Sequence, residues 1–250
     1  MRVLRCADSG VLVEVADLDE ALALQAALVE DPPRGVTDIV PAARTVLLRM
    51  HPDGGDADAV AEAVGRLRPR RGERARAGEL EVPVQYDGED LADIAALTGL
   101  SERDVVAVHT GAEWTVAFCG FAPGFGYLVC DDTRLHVPRR GEARARVPPG
   151  AVALAGEFTG IYPRASPGGW RLLGRTDVVT WDLERDPPAL LRPGVRVRFT
   201  EEPPPARRRG AGSAAAPCRT AAQNGEQGAQ QVNGRRSGRS EGGGRADAGS

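Results

Sequence analysis

Apolar and polar positions alternate in two different periods over the first eighty residues. Val11, Val13 and Val15 alternate with Leu12 and Glu14, the period of a half-buried strand, and Asp8-Ser9-Gly10 supplies a turn. Residues 2–15 therefore predict a short hairpin. From Asp17 the spacing becomes helical, with Leu18, Ala21, Leu24 and Leu28 on one face. Asp17 followed by Glu20 is a capping-box pair, and Pro32-Pro33 stops the helix. A second pair of strands is predicted at 36–40 and 46–50, and then a helix opened by Asp56 or Asp58 that carries Val60, Val64 and Leu67. The charged run 68–78 reads as a connection. Two strands and a helix, twice over, predict a small α+β N-terminal domain over residues 1–80, its helices on one side of an antiparallel sheet.

The second predicted domain, residues 81–202, opens with a strand at Val82–Tyr86 and two helices. Leu91, Ile94 and Leu97 face inward on the first, which Gly99 terminates; Ser101 and Asp104 box the second, which runs to His109. Beyond Glu113 short strands follow closely, at 113–118, 134–137, 144–147, 151–155, 170–173, 178–181 and 195–199. Such spacing, punctuated by Gly and Pro, reads as a closed barrel or a sandwich. After Phe199 there is no Leu, Ile, Met or aromatic residue, so 203–250 cannot bury enough apolar surface to order itself and is expected to be a disordered tail.

Charge divides at the same place. The tail is +5, which leaves residues 1–202 at −8 within a chain of net charge −3. An acidic body argues against a nucleic-acid partner. All thirty-two basic residues are Arg, so a phosphate-loop lysine, a Schiff base and a biotinyl-lysine are excluded. Four Cys without Cys-x-x-Cys spacing and three scattered His predict no metal site. With no signal-like segment and no apolar run near the roughly twenty residues of a membrane span, the expectation is a cytoplasmic protein that does not meet the membrane.

Candidate chemistry concentrates between Val108 and Arg175. Two stretches, Gly120–Leu128 and Gly156–Trp170, mix Gly and Pro with rings, among them Phe125, Tyr127 and Tyr162. Rings placed in loops need a neighbour or a ligand to cover them. Pro123-Gly124 is a turn pair. Between the two stretches stand Arg139, Arg140, Arg144 and Arg146. On an extended strand Arg144 and Arg146 share a face, where they could grip a carboxylate or belong to a solvated exterior. Apolar walls around fixed cations describe a pocket for a small anion. His109 and Glu157 are candidate proton-transfer groups, and Thr159 a hydrogen-bond donor. Ser166 is a turn hydroxyl or a nucleophile, and Gly168-Gly169 offers backbone N–H groups for an oxyanion.

These motifs, in order, carry a resemblance: His109-Thr110-Gly111, Gly120-Phe121-Ala122-Pro123-Gly124-Phe125-Gly126-Tyr127-Leu128, Val137-Pro138-Arg139-Arg140, Arg144-Ala145-Arg146-Val147-Pro148, Thr159-Gly160-Ile161-Tyr162-Pro163, Ser166-Pro167-Gly168-Gly169-Trp170 and Gly174-Arg175-Thr176. Over residues 1–200 the chain resembles the family of the 5-oxoprolinase B component (PxpB), also called KipI or allophanate hydrolase subunit 1, a carboxyltransferase subdomain C/D family. The resemblance implies an α+β N-terminal domain and a cyclophilin-like antiparallel β-barrel. It also implies two partners, the C and A components of 5-oxoprolinase. The activity it implies is ATP-dependent opening of 5-oxoproline to glutamate, with ATP used by the complex and no covalently bound cofactor. Pro123, Gly124, Phe125, Tyr127, Arg139, Arg144, Arg146, Tyr162, Ser166, Gly168, Gly169 and Arg175 are then the expected substrate-binding residues, and His109, Glu157 and Thr159 the catalytic ones. The family leaves two alternatives, a non-catalytic inhibitor of a sensor histidine kinase and a urea amidolyase component. Phe158 stands where the family pattern has Gln.

Overall fold

A computed structural model describes residues 1–52, 56–69 and 77–203. The expected disorder of 203–250 falls almost wholly outside them.

The N-terminal half carries β1 (Arg2–Arg5), β2 (Gly10–Glu14), α1 (Leu18–Glu30), β3 (Val36–Pro41), β4 (Thr45–Met50) and α2 (Ala57–Arg66). Its four strands form one antiparallel sheet in the order β1-β2-β4-β3. Alternation places Val11, Val13, Val46, Leu48 and Met50 on the face that packs against Leu24, Leu28, Val60 and Val64 of the two helices. The capping box of α1 is formed. Asp17 accepts from the Glu20 N–H at 2.8 Å, and the Glu20 carboxylate accepts from the Ala16 N–H at 2.8 Å. Asp56 caps α2 through the N–H groups of Asp58 and Ala59.

The remaining elements are β5 (Gly78–Val84), α3 (Leu91–Thr98), α4 (Glu102–Gly111), β6 (Trp114–Cys119), β7 (Gly126–Val129), a 3₁₀ turn (Thr133–Leu135), β8 (Arg144–Val147), β9 (Ala151–Ala155), β10 (Phe158–Ile161), β11 (Ser166–Gly168), β12 (Arg171–Arg175) and β13 (Val195–Glu201). Seven strands make a curled sheet, β12-β9-β10-β7-β6-β13-β5, and β8 pairs separately with β11. α3 and α4 cover the sheet, enclosing Val82, Ile94, Val105, Leu128, Leu154, Leu173 and Phe199.

The expected antiparallel barrel is corrected in two respects. β5 and β13 run parallel: they are joined not by a hairpin but by the long path through α3, α4 and β6 to β12. The two edge strands also do not pair along their length. They meet at one antiparallel bridge, Gln85 with Arg175, whose two N–H···O bonds are both 2.9 Å. Beyond it Gly88 and Asp90 donate to the Leu173 and Leu172 carbonyls. Gly88 is needed there, since a Cβ would stand 2.3 Å from the Leu172 oxygen.

α1 leans on the outside of the curled sheet, where Leu18 and Leu22 join Ala117, Phe118 and Val129 in a small apolar cluster. Residues 134–137 and 178–181 are not strands. The first holds the end of the 3₁₀ turn capped by Asp132 and an isolated bridge from Val137 to Gly156, and the second only an isolated bridge from Trp181 to Ala189.

Candidate functional site: a ring-lined face beside an arginine brace

The two Gly/Pro/aromatic stretches fold onto each other. The Gly120–Phe125 turn closes through Phe125 N–H to the Ala122 carbonyl at 3.0 Å, with Gly124 at φ +80°. A Cβ on Gly124 would lie 2.6 Å from that of Trp181, so glycine meets both a conformational and a steric demand. Phe125 is buried and meets Tyr127, Tyr162 and Trp170 edge-on at 5.1, 5.4 and 5.3 Å. Tyr127 lies flat on Phe118 at 4.4 Å and edge-on to Phe158 at 5.5 Å. The Tyr162 hydroxyl sits where a side chain on Gly168 would be, 2.4 Å from its ideal Cβ. Gly124, Phe125, Tyr127, Tyr162, Gly168 and their neighbours Pro123 and Gly169 thus belong to one region. Burial pushes the hydroxyls of Tyr127 and Tyr162 up, while the positive charge of Arg139 pulls both back.

The arginines divide into two kinds. Asp90, 1% exposed, accepts from Arg140 Nη1 at 2.5 Å and from Arg144 Nη1 and Nη2 at 2.8 and 2.9 Å. It also accepts from the Leu172 N–H at 2.7 Å. Burial pushes the Asp90 carboxyl up, but the hydrogen bonds from Arg144 and Leu172 and the two positive charges outweigh it and hold the group below its ordinary range. Asp90 occupies the N-cap position of α3 yet makes no side-chain capping bond; its carboxylate points at the arginines instead. Arg144 also reaches Glu89 at 3.1 Å. Arg140 and Arg144 are therefore bound within the fold. Arg139 and Arg146 are exposed and make no hydrogen bond or ion pair among the described residues.

His109 and Thr159 come together in the core, away from solvent. The Thr159 hydroxyl donates to the Ala153 carbonyl at 3.2 Å, so it accepts from His109 Nε2–H at 3.0 Å. Nδ1 is then the unprotonated nitrogen and accepts from the Tyr86 hydroxyl at 2.7 Å. The ring lies 4.3 Å from that of Phe199 and is fully buried. Burial pushes its pKa down to about 3, so the imidazole is neutral, and both nitrogens are already used.

Glu157 is separated from this pair. It is exposed and lines a cleft with Asp17, Asp19, Asp131 and His136. Ser166 donates to the Arg164 carbonyl at 3.1 Å, as a turn hydroxyl does. Arg175 is exposed and spans Gln85 and Asp87 at the meeting of the sheet edges. The sequence pattern did not nominate Asp90 or Tyr86 as site residues. An acid at the predicted start of a helix, just before Leu91, in a domain with four clustered arginines was the available signal for Asp90.

The profile of the family described as carboxyltransferase domain, subdomain C and D, matches residues 1–191. The chain belongs to that family. A curated relative from Escherichia coli O157:H7, named as the B component of 5-oxoprolinase, is 50% identical over 126 residues, which cover 49% of this chain and 58% of that protein. A second of the same name, from Bacillus subtilis, is 42% identical over 123 residues, 48% of this chain and 51% of that protein. The matches thus span about half the length of the curated relatives. Among solved structures, TTHA0988 is 40% identical with a TM-score of 0.64 over 78% of this chain and 40% of its own. The urea amidolyase of K. lactis is alike in fold, with a TM-score of 0.64 at 19% identity over 80% of this chain and 15% of its own.

Proposed function

We propose that this chain is one subunit of an ATP-dependent amide hydrolase, most directly a 5-oxoprolinase that converts 5-oxoproline to glutamate. Water opens a lactam slowly because the amide resonance must be broken. Phosphorylation of the amide oxygen makes the carbonyl electrophilic, and that step draws on ATP used by the assembled complex. Proteins like the C and A components of 5-oxoprolinase are the partners this reading requires, and the cytoplasm is where substrate and ATP meet. Arg139 and Arg146 are the cations left free to meet the substrate's carboxylate, since Arg140 and Arg144 are spoken for by Asp90. The observation that carries the reading is membership of this family, with Arg139 and Arg146 exposed and unpaired among the described residues, while Phe125, Tyr127 and Tyr162 pack on one another to hold the loops in place.

His109 is better assigned to the core than to proton transfer, because a neutral ring with both nitrogens engaged has no free position for a substrate proton. Glu157 remains the exposed carboxylate available to a partner or to water.

The test combines the purified chain with candidate C-like and A-like components and follows ATP-dependent release of glutamate from 5-oxoproline. Glutamate formed only when this chain is present supports the reading. No product in any combination removes it.

A further inference from the structure

α1 carries two apolar stripes. Leu24 and Leu28 pack on the sheet of the N-terminal half, and Leu18 and Leu22 pack on the outside of the curled sheet. The second stripe continues past Leu22. Gln25, Ala26, Val29 and Glu30 follow it at i+3, i+4, i+7 and i+8, one unbroken helix face. The sheet does not stay with it. A cavity of about 290 Å³ opens between Leu22, Ala26 and Val29 of the helix and Val116, Val129 and Pro193 opposite. Protein interiors leave few voids larger than a water molecule, and Val29 on this face is 62% exposed.

The wall opposite the helix is fixed by the backbone. The β6–β7 register slips between Val116 and Phe118, so Ala117 has no partner on β7. Val116 and Ala117, which regular alternation would turn to opposite faces, both line the cavity as a result. The Gly194 N–H donates to the Val116 carbonyl at 2.8 Å, and the Gly194 carbonyl accepts from the Ala77 N–H at 3.0 Å. The polar groups point to one sign of charge. Gln25, Glu30 and Thr115 line the cavity, and their side chains make no hydrogen bond or ion pair among the described residues. No Arg or His is among the described residues that line it. The last turn of α1 holds Glu30 and no basic residue, and Asp31 caps it. Two carboxylates therefore stand at the negative end of the helix dipole, where a cation is the favoured companion.

We propose that this cavity binds a small protonated amine with a flat apolar body. The body fills the space between α1 and the bulged part of β6, and the ammonium lies at the rim with the Glu30 carboxylate and the end of α1. A dry cavity of about 150 Å³ admits benzene, so one of about 290 Å³ admits a body of about two fused rings. Charge selects the ligand. An anion of the same shape meets the Glu30 carboxylate and the negative end of the helix, with no basic side chain on the walls to offset them. None of the cavity's residues is among those assigned to the amide substrate, so this site stands or falls independently of the hydrolase reading.

The experiment titrates the full chain with tryptamine, 3-methylindole and indole-3-propionate by calorimetry, and follows the melting temperature with each. Tryptamine is expected to bind and to raise the melting temperature. 3-Methylindole, which keeps the rings and lacks the charge, should bind about fivefold more weakly, and indole-3-propionate more weakly still. Glu30→Gln, at an exposed position, is expected to bring tryptamine down to the level of 3-methylindole without lowering the melting temperature of the free chain. Ala26→Leu fills the cavity and should weaken tryptamine and 3-methylindole about tenfold or more, with a melting temperature equal to or above the parent's. The proposal is overturned by tryptamine that fails to bind, that binds no tighter than indole-3-propionate, or that binds the Ala26→Leu chain as well as the parent. Where Ala26→Leu does not fold, the Glu30→Gln titration decides, and undiminished tryptamine binding there overturns the proposal. Each of these results leaves the glutamate-release test of the complex standing on its own.

Discussion

Two buried polar networks sit at opposite extremes of the same problem. Around Asp90 the network is ionic, with one carboxylate, two guanidiniums and one backbone N–H. Around His109 it is neutral, a chain of donors from Tyr86 through the imidazole and Thr159 to the Ala153 carbonyl. The ionic one lies near the rim, where the arginine side chains keep some contact with water; the neutral one lies where water does not reach. Each solves desolvation in the way its depth permits: full charges need several partners and a nearby aqueous boundary, whereas a deep site keeps its groups uncharged. The lesson concerns residue type. Histidine and arginine are the residues that chemistry uses most readily, and here one His and two Arg serve the fold.

That contrast can be broken at either end. Asp90→Ala should have the largest effect, since it strands two partly buried guanidiniums and the Leu172 N–H; a loss of about 3–5 kcal/mol is expected, read by denaturant unfolding. His109→Ala removes a packed ring, leaves the Tyr86 hydroxyl without a partner and takes from Thr159 the donor to its oxygen, for an expected loss of about 2–4 kcal/mol in the same assay. Tyr86→Phe deletes only one hydrogen bond of the neutral chain and should cost about 1 kcal/mol. Arg146→Ala should lie within about 0.5 kcal/mol of the parent, whereas Arg144→Ala, which breaks the ionic network, should not. Equal effects at positions 144 and 146 would erase the distinction between bound and free arginines.

Acid sharpens the comparison further. The folded pKa of His109, about 3, lies below the ordinary value of 6.5, so the unfolded chain takes up a proton that the folded chain refuses. This group's contribution to stability is complete above pH 6.5 and is lost progressively as pH falls toward 3. Asp90 is also depressed in the folded state, so its contribution disappears only below the ordinary carboxylate value of 3.8. Melting temperature should therefore decline between pH 6.5 and 4 in the parent protein. His109→Gln should flatten that decline, and a variant that retained it would assign the loss to other groups.

Much of this was legible in the sequence, and the exceptions have physical causes. Helix ends were readable because capping is local. The pairs Asp17 with Glu20 and Ser101 with Asp104 are where the pattern put them, and Gly99 ends α3 at φ +72°. The N-terminal strands were readable because one face is wet and alternation survives. β7 and β10 were hidden in what read as loops. Both are interior strands of the curled sheet whose residues are nearly all buried, so the period-two signal is absent, and their Gly and aromatic content imitates a turn. Asp90 escaped notice because its partners lie about fifty residues away, at Arg140 and Arg144. Rings and arginines could be nominated from the sequence. Which cations were already engaged depended on contacts between distant segments.

The curled sheet closes along the 85–90 segment, and the carboxylate at the end of that segment is also the one that tethers Arg140. Closure of the sheet and aim of the neighbouring cation are consequently one mechanical event. A molecule that clasps Arg139 pulls on the same fastening that keeps the cylinder shut, so occupancy of the outer face should slow solvent exchange of the amides of Leu172 and Arg175, although no ligand atom touches them.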